Sequence, residues 1–405
     1  MSIDSLCSSG TRTVSNAATL PRLLYVATSK NEGGLERYSV RLAQKLRDRR
    51  VSIRYACLPG EIIDRLCGEA GIETLPLRTR NSGDLRSASA LAGQIAAHNI
   101  EIVHVHSRRD YLSAILGTAL ARFRTGKRIR LVLHAHLVRP LGEPASLNRA
   151  FFQKGTDTIL AVSSAVQNAI EEAHNFRPGY VQVLHNGVDL EDFALPETAQ
   201  AGGWRQVRRA EWNIPAAAEV IGMVGRLDAK GQASLLAAAP QILERHQGVY
   251  IVLVGPDGAP GEASRLAKRA QELGISERVI LPGSRGDIPS VLAAFDLLAH
   301  LPADDALPGA LIEAMAAGLP TVATNISGCA EIVRPEETGV LVPLDDPAAI
   351  VTAVCRLLEM EPSGRRRLGA AGRQVAESEF SLPGQIDRLQ EIYRKLCPSP
   401  SQFRF

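Results

Sequence analysis

The stretch that decides the fold runs from Pro302 to Thr324 and reads PADDALPGALIEAMAAGLPTVAT. It places one carboxylate, Asp305, in a loop and a second, Glu313, further along, and Pro308 begins a helix between them. A helix N-terminus offers free backbone N–H groups and a positive dipole end, which suit a phosphate or a sugar hydroxyl. Taken alone, the stretch is also compatible with a polar turn followed by a solvated helix residue.

Outward from this stretch, short apolar runs rich in β-branched residues alternate with helical patterns along almost the whole chain. The first series of predicted strands is Leu23–Ala27, Val51–Ala56, Ile102–Val105, Leu131–Leu133, Thr158–Val162 and Val181–Leu184. The second series is Val220–Val224, Tyr250–Val254, Val279–Leu281, Leu297–Ala299, Thr321–Ala323 and Gly339–Val342. Such alternation predicts parallel sheets with helices on both faces.

The two series indicate two doubly wound α/β domains of similar size. The Gly- and Ala-rich stretch Pro196–Trp204 separates them, so we predict an N-terminal domain over 21–196 and a C-terminal domain over 204–381. We expect a last helix at 382–397 to cross back to the N-terminal domain, and residues 1–20 to form a disordered lead-in. Ligands of doubly wound sheets bind beyond the strand C-termini, so two facing domains predict a central cleft.

The composition is that of an ordinary globular protein. The chain has 405 residues, of which 45% are hydrophobic, and a formal net charge of +3, which is too small to indicate a nucleic-acid partner. No apolar run approaches the ~20 residues that span a bilayer. The six cysteines lack CxxC or zinc-ligand spacing, which favours reduced thiols and a cytoplasmic location.

A glycine-flanked basic turn, Gly225–Gly231, directly follows the predicted strand IGMV. Its sequence GRLDAKG offers the guanidinium fork of Arg226 and the point charge of Lys230 to phosphate oxygens. A polar turn with solvated cations is the alternative for this segment alone. Together with Asp305 and Glu313 on the same predicted sheet, the turn favours a diphosphate site.

Two adjacent glycines, Gly33 and Gly34, lie between the first predicted strand and the first predicted helix. They would let a phosphate or sugar approach the backbone closely, although a simple tight turn is an alternative. The segment is not a GxGxxG motif, and no acidic residue lies in a position suited to the ribose of a nicotinamide cofactor.

Four histidines end two strands of the first series, in IVHVHS and LVLHAH. His104 and His106 share one face of their strand, and His134 and His136 share one face of the other. Strand-end imidazoles are candidates for acid–base or hydrogen-bonding roles, with packed or solvated rings as the alternative. We expect no zinc site, because nothing in the spacing makes the rings of the two strands converge.

A basic segment, Arg122–Arg130, joins Arg108 and Arg109 in the first domain. A solvated basic loop is its ordinary interpretation. The alternative is a patch attracted to anionic lipid or to an acidic acceptor, which would make the protein peripheral at the inner membrane face.

These motifs in their order resemble those of the retaining glycosyltransferases of family 4, also called glycosyltransferase group 1. The matching pieces are EGGLERY, VSSAV, HNGVDLEDF, VGRLDAKG, IVLVGPDG, VILPGSRGDIPSVLAAFDLL, LPGALIEAMAAGLPTVAT and EIV…TGVLVPLDD. The resemblance covers about residues 22 to 396 and is most specific in the C-terminal half. It implies the GT-B architecture, in which two Rossmann-like domains face a cleft.

The resemblance also implies roles for individual residues. It assigns the sugar nucleotide's diphosphate to Arg226 and Lys230, its ribose to Glu313, and the transferred sugar to Asp305. It further implies that the sugar, the phosphates or the base are contacted by Gly33, Gly34, Ser284, Arg285, Pro308, Gly309, Ala310 and Leu311. The strand-end histidine near the reacting sugar would be His136 or His134, with His136 favoured.

The implied activity is transfer of a sugar from a nucleotide diphosphate to an acceptor hydroxyl, with retention and without a metal or other cofactor. A UDP-sugar is mildly preferred as donor, and a glycan or lipid-linked acceptor of the cell envelope is expected. Two departures from the family pattern are Asp305 in place of glutamate and an Arg226–Lys230 spacing one residue short. They leave open a non-catalytic sugar-nucleotide-binding partner, and an epimerase on the same architecture is a further alternative.

Overall fold

Two parallel sheets form the framework of the protein. The computed structural model describes residues 20–30, 33–141 and 145–398, so the predicted lead-in lies outside the described residues except for Leu20. One sheet has seven strands and the other has six, and every paired strand runs parallel to its neighbour. The predicted fold class, two Rossmann-like doubly wound domains, is therefore confirmed.

The first sheet has the strand order β3-β2-β1-β4-β5-β6-β7. Its strands are β1 Leu23–Val26, β2 Ile53–Cys57, β3 Thr74–Pro76, β4 Ile102–Val105, β5 Arg130–Ala135, β6 Thr158–Ala161 and β7 Val181–Val183. The helices around it are α1 Gly34–Asp48, α2 Ile62–Glu69, α3 Leu85–Ala97, α4 Tyr111–Thr125, α5 Ala145–Gly155 and α6 Ser164–His174. Strand β3 was missed from the sequence because it has three residues and includes a proline, which an edge strand tolerates.

The second sheet has the order β10-β9-β8-β11-β12-β13. Its strands are β8 Glu219–Val224, β9 Val249–Val254, β10 Val279–Gly283, β11 Leu297–His300, β12 Thr321–Thr324 and β13 Gly339–Val342. The helices that follow the first domain are α7 Ala199–Glu211, α8 Gln232–Arg245, α9 Glu262–Glu272, α10 Ile288–Ala293, α11 Gly309–Ala316, α12 Ser327–Ala330, α13 Pro347–Glu359, α14 Pro362–Glu379 and α15 Leu382–Leu396.

The central strands are buried on both faces, as parallel strands covered by helices are expected to be. Every residue of β1, β4, β6, β11 and β12 is buried. Sequences such as LLYV and TVAT are therefore continuous apolar or small-residue runs rather than alternating ones. Because their interiors admit no ligand, chemistry is confined to the loops at the strand ends.

The stretch predicted as a linker is only partly irregular. Helix α7 begins inside it at Ala199, and the Thr198 side chain caps the helix by accepting the backbone N–H of Ala201. Helix α7 then lies on the second domain, where Arg209 donates to the Ala294 carbonyl at 3.0 Å. Trp204, taken as the end of the link, lies within this helix.

The final helix, α15, packs against the first domain. The Tyr393 hydroxyl lies 3.0 Å from that of Tyr25 on β1, and Gln385 accepts the backbone N–H of Gly187 at 2.9 Å. Helix α15, which follows the second domain along the chain, therefore contacts the first domain. Within the described ranges, no helix is both long and apolar enough to cross a bilayer.

Candidate functional site

The basic turn after β8 packs directly on the loop after β11. Gly231 has φ 81°, and a Cβ placed there would lie 2.0 Å from the Leu301 carbonyl oxygen, so the backbones can approach only at a glycine. The Leu301 N–H donates to the Lys230 carbonyl at 2.9 Å. This contact brings Lys230, from one segment, beside the loop that carries Asp305.

Lys230, Asp305 and His300 form a compact polar group at that contact. The Lys230 ammonium lies 2.5 Å from Asp305 Oδ2, and His300 Nε2 donates to the same oxygen at 3.1 Å. Burial opposes ionisation of the Asp305 carboxyl, but the His300 hydrogen bond and the Lys230 charge hold its pKa below the usual value. Burial also lowers the pKa of His300, so a neutral imidazole donates to a carboxylate.

Arg226 is the more exposed cation of the turn. Its side chain is 56% exposed, and its Nε lies 3.7 Å from Asp228, a distance too long for a strong ion pair. The Gln232 amide donates to the Arg226 carbonyl at 2.9 Å and thereby holds the turn's backbone. The guanidinium is therefore positioned by its backbone and remains accessible to a ligand.

The N-terminus of α11 lies in the segment quoted at the outset. Pro308 is its N-cap and Gly309 its first residue, and the Leu311 N–H already donates to the Pro308 carbonyl at 3.1 Å. A Cβ at Gly309 would meet nothing within 4 Å, and Ala310 is half-buried. The helix tip therefore has open space beside it, where a ligand could approach the first backbone N–H groups.

Glu313 lies one turn into α11 and lines a cleft between the two lobes. The cleft has a volume of about 790 Å³, and the first domain contributes Gly34, Arg37, Tyr38 and Arg41 to its wall. Burial raises the pKa of Glu313 to about 7, although the charge of Arg41 opposes this shift. A carboxyl group in this position can accept or donate hydrogen bonds near neutral pH.

The two predicted phosphate-facing glycines differ in their surroundings. Gly34 lines the cleft, and a Cβ added there would meet nothing within 4 Å. A Cβ on Gly33 would lie 2.9 Å from the Glu36 carboxylate, so Gly33 packs against its own helix. Of this pair, Gly34 is therefore the residue that faces the cleft most openly.

The predicted base-flanking loop is held by ion pairs. Arg285 donates to Asp287 at 2.9 Å and to Glu211 at 2.9 Å, while Ser284 is exposed. Its neighbour Gly286 lines the cleft. The ion pairs fix the loop, and the loop's backbone is the part nearest the cleft.

The strand-end histidines converge, which corrects the expectation that they would not. Strands β4 and β5 pair with Val105 opposite Leu133, and continuing this register places His106 opposite His134 on one face. Ring centroids are 4.4 Å apart for His104 and His106, 5.2 Å for His106 and His134, and 4.3 Å for His134 and His136. These four residues are called the histidine cluster below.

The histidine cluster is buried except at its cleft-side end. His104, His106 and His134 are at most 1% exposed, while His136 is half-buried and its ring lies 6.2 Å from that of Tyr38 on the cleft wall. Burial lowers the pKa of every ring in the cluster, that of His134 to about 3. The four imidazoles are therefore neutral at pH 7, and His136 is nearest the cleft.

The lobes are also joined by a carboxylate that sequence reasoning missed. Glu331, after α12, accepts the backbone N–H of Ser164 at 2.9 Å and contacts His185 Nε2 at 2.6 Å. Both partners, Ser164 and His185, belong to the first domain. The contact of Glu331 with Ser164 and His185 joins segments that are distant in the chain, so no local sequence pattern predicts it.

His300 was missed as well, although a signal for it exists. It ends the strand in the segment FDLLAHLP, where a strand-end imidazole would lie at the cleft edge. It stands alone at its strand end, whereas the strand-end histidines of the first domain come in pairs and are therefore more conspicuous.

The basic segment lies at the edge of the first sheet opposite the cleft, because it leads into the beginning of β5 rather than following its end. Arg122 and Arg130 both pair with Asp157, at 2.8 and 2.5 Å. Arg124, Lys127 and Arg128 remain exposed, and the neighbouring Phe123 is 88% exposed.

Two family models match this chain. Glycosyltransferase Family 4 matches residues 32–192, and Glycosyl transferases group 1 matches residues 205–375. Each model covers one of the two parallel-sheet domains. The chain therefore belongs to the glycosyltransferases of group 1 and family 4, a class of enzymes.

Individual proteins are similar to this chain in sequence or in structure. A D-inositol 3-phosphate glycosyltransferase of Corynebacterium urealyticum is 33% identical over 253 residues, which are 61% of this chain and 58% of the relative. The solved glycosyltransferase of Rickettsia africae has a TM-score of 0.85 at 20% identity, covering 94% of this chain and 99% of that one. Anabaena HepE, solved with UDP and glucose, has a TM-score of 0.78 at 22% identity, covering 93% and 100%. At these identities the two structures establish the GT-B fold alone.

Proposed function

We propose that this protein transfers a sugar from a nucleotide-diphosphate sugar to an acceptor hydroxyl, with retention of the anomeric configuration. The observation that carries the proposal is the contact of Lys230 with Asp305 near the α11 tip. Glu313 in the same helix and Gly34 of the first domain line a cleft between the two domains. We place the diphosphate and the sugar joined to it between these groups and the N–H groups at the α11 tip.

The chemistry breaks the bond between the anomeric carbon and the diphosphate oxygen and forms a bond from that carbon to the acceptor oxygen. Negative charge grows on the departing diphosphate, and Arg226, Lys230 and the N–H groups at Gly309 and Ala310 can stabilise it. Preorganised donors of this kind typically contribute ~10²–10³ in rate each. The departing phosphate oxygen takes the acceptor's proton, so atoms and charge balance without a protein base.

Asp305 has the role of orienting the transferred sugar. Its Oδ2 is engaged by Lys230 and His300, which leaves the other carboxylate oxygen for a sugar hydroxyl. His136 lies at the cleft-side end of the histidine cluster, where its ring is 6.2 Å from that of Tyr38. As a neutral imidazole it would hydrogen-bond the reacting sugar rather than supply a charge.

The diphosphate is proposed to need no divalent metal. The sequence has no DxD motif at a strand end. The turn after β8 already supplies two cations, Arg226 and Lys230, to the diphosphate. The test is turnover of EDTA-treated protein with and without added Mg²⁺ or Mn²⁺, the hard cations that suit phosphate oxygens. We expect less than about a twofold difference; full dependence on added Mg²⁺ would overturn the metal-free scheme.

UDP is the proposed nucleotide of the donor, and the structural likeness to Anabaena HepE, which was solved with UDP and glucose, supports it. A thermal-shift screen of UDP-, GDP- and ADP-sugars identifies the donor directly. Any stabilising sugar nucleotide is then tested for hydrolysis and for transfer, and product anomers are read by NMR. Inversion at the anomeric carbon would contradict the proposal.

The acceptor is proposed to be a glycan or a lipid-linked molecule of the cell envelope, reached at the inner membrane face. The support is limited to Arg124, Lys127, Arg128 and the exposed Phe123, since the other basic residues are paired. Co-sedimentation with vesicles containing anionic lipid at low salt tests it. Equal recovery with neutral vesicles would remove the membrane contact from the proposal.

The second candidate function is that of a non-catalytic protein that binds a sugar nucleotide as the partner of an active transferase. The reason is that Asp305 occupies a position where the family that this chain resembles has glutamate. Such a protein would be stabilised by a sugar nucleotide yet would neither hydrolyse nor transfer it. The Asp305→Glu variant decides between the two: a gain of activity from none favours this candidate. An epimerase would consume the donor without any acceptor in the same assay.

A further inference from the structure

The histidine cluster carries buried polar atoms that the donor chemistry does not use. His104 Nε2 and His106 Nε2 have no hydrogen-bond partner among the described residues, and a contact with the Leu184 backbone leaves one ring nitrogen of His134 in the same state. A buried polar group left without a partner costs ~1–3 kcal/mol, so such groups require an explanation. Several orphaned nitrogens on adjacent rings are more than packing of a strand interior would leave.

We propose that His104, His106 and His134 form a binding site for one zinc ion. Their ligand nitrogens all lie within 4.8 Å of one another. Neutral imidazole is a preferred ligand of zinc, and zinc commonly takes three histidines and one further ligand. One ion in their midst would give a partner to one nitrogen of each ring.

The ligand nitrogens are close enough that a small inward movement would bring all three to zinc-binding distance. With zinc–nitrogen bonds of ~2.0–2.1 Å, ligand nitrogens lie roughly 3.3 Å apart, so each atom moves inward by less than about 1 Å. His104 is stacked on His106 with an interplanar angle of 20°, so ring rotation must both supply this movement and turn the in-plane lone pairs towards the ion. The strands themselves keep the register that places the rings side by side.

The remaining nitrogens of two rings already have hydrogen-bonding partners. His104 Nδ1 lies 2.5 Å from the Tyr393 hydroxyl, which in turn lies 3.0 Å from that of Tyr25. His106 Nδ1 lies 3.4 Å from His136 Nε2. Such partners fix the tautomer, so that the opposite nitrogen presents its lone pair to the metal.

The proposed role of the zinc ion is structural: it stabilises the first domain and does not bind the diphosphate. It joins β4 and β5 to α15 through Tyr393, and it fixes His106, the neighbour of His136. This inference does not rest on the proposed transferase activity, because the ligand set and its test involve no sugar nucleotide.

Zinc content of the purified full chain is the first test. Protein produced in zinc-supplemented medium and freed of loosely bound metal is expected to carry about one zinc per chain, as one His₃ site predicts. His104→Gln and His106→Gln are expected to lose it. His98→Gln is the matched control, because His98 is a half-buried histidine of the same domain outside the cluster.

Affinity and stability are measured next, since a cluster variant could fail through misfolding. Adding Zn²⁺ to metal-free wild-type protein should raise its Tm by several degrees. Tyr393→Phe keeps the packing and removes only the hydroxyl, and it should weaken zinc affinity about 10–100-fold. Replacement by Co²⁺ should give the visible absorption of a four-coordinate site in wild type and in His98→Gln.

Three results would overturn the inference: zinc-free wild-type protein with no Tm shift, equal zinc loss in His98→Gln, or unchanged affinity in Tyr393→Phe. The donor screen is run on the same samples. A protein that binds sugar nucleotide without zinc refutes the zinc site alone, and one that binds zinc but no sugar nucleotide refutes only the proposed function.

Discussion

The two sheets have the same parallel architecture, yet the ends of their strands carry different chemistry. In the second domain, the loops after β8 and β11 carry two ionised groups in contact, because the Lys230 ammonium donates to the Asp305 carboxylate. In the first domain, the ends of β4 and β5 carry neutral, buried rings. The same scaffold therefore carries a charged wall of ionised groups at the strand ends of the second domain and neutral rings at the strand ends of the first.

The difference follows from burial. Asp305 is 13% exposed and keeps its charge because Lys230 and His300 outweigh the cost of desolvation. The histidine cluster has no such compensating carboxylate among its described contacts, so burial makes each ring neutral. Ionised groups suit a departing diphosphate, and neutral rings suit the uncharged sugar and the acceptor hydroxyl.

The largest expected effect is on the charged wall. Lys230→Ala should lower donor turnover at least about tenfold, because one preorganised donor to the diphosphate is lost. Arg226→Ala should act in the same direction. Steady-state transfer is measured against Lys268→Ala, which removes an exposed lysine of the same domain. Near-wild-type rates in both Lys230→Ala and Arg226→Ala would contradict the assignment of the diphosphate to these two cations.

Asp305→Asn should lower turnover about tenfold, because the reacting sugar is then oriented less well. The amide still accepts one hydrogen bond but no longer balances the Lys230 charge. Asp304→Asn is the matched control, since Asp304 is the exposed neighbour in the same loop. Equal losses in the two variants would show that the loop, rather than the carboxylate, matters.

Glu313 should give the donor-side wall a pH dependence. Its pKa is raised from 4.5 to about 7 in the folded protein, so its stabilising contribution is complete below pH 4.5 and is lost as the pH rises to about 7. Relative to Glu313→Gln, the free energy of unfolding of wild type should fall by up to roughly 3 kcal/mol across that window. Denaturant unfolding at several pH values measures it.

Glu277→Gln serves as the control for that series, because Glu277 is an exposed carboxylate of the same domain. Its difference from wild type should stay flat across the window. A flat profile for Glu313→Gln as well would show that Glu313 ionises normally.

The smallest effect is expected where the first domain touches the donor. Gly34→Ala adds a methyl group to open space in the cleft and should weaken sugar-nucleotide affinity about threefold to tenfold, with Tm unchanged or slightly raised. Gly93→Ala, on α3 and equally open, should leave affinity unchanged. Unaltered affinity in Gly34→Ala would place the ligand away from this corner.

Much of the fold could be predicted from the chain alone. The alternation of apolar runs and helical patterns predicted both parallel sheets, and the strand missed was β3, whose three residues carry too little pattern. The glycine and cation motifs identified Gly34, Lys230 and Glu313 as site candidates because each lies in a loop or helix start next to a strand. Contacts between the lobes, such as Glu331 with Ser164, had no comparable signal.

What the sequence by itself determined is the order of strands and helices and the residue types at their ends, because periodicity and turn chemistry are local. Only the tertiary structure decided that Lys230 meets Asp305 and that His106 meets His134. The first depends on the close backbone approach at Gly231, and the second on the register of two strands. Both are relations between segments distant in the chain, which no local pattern specifies.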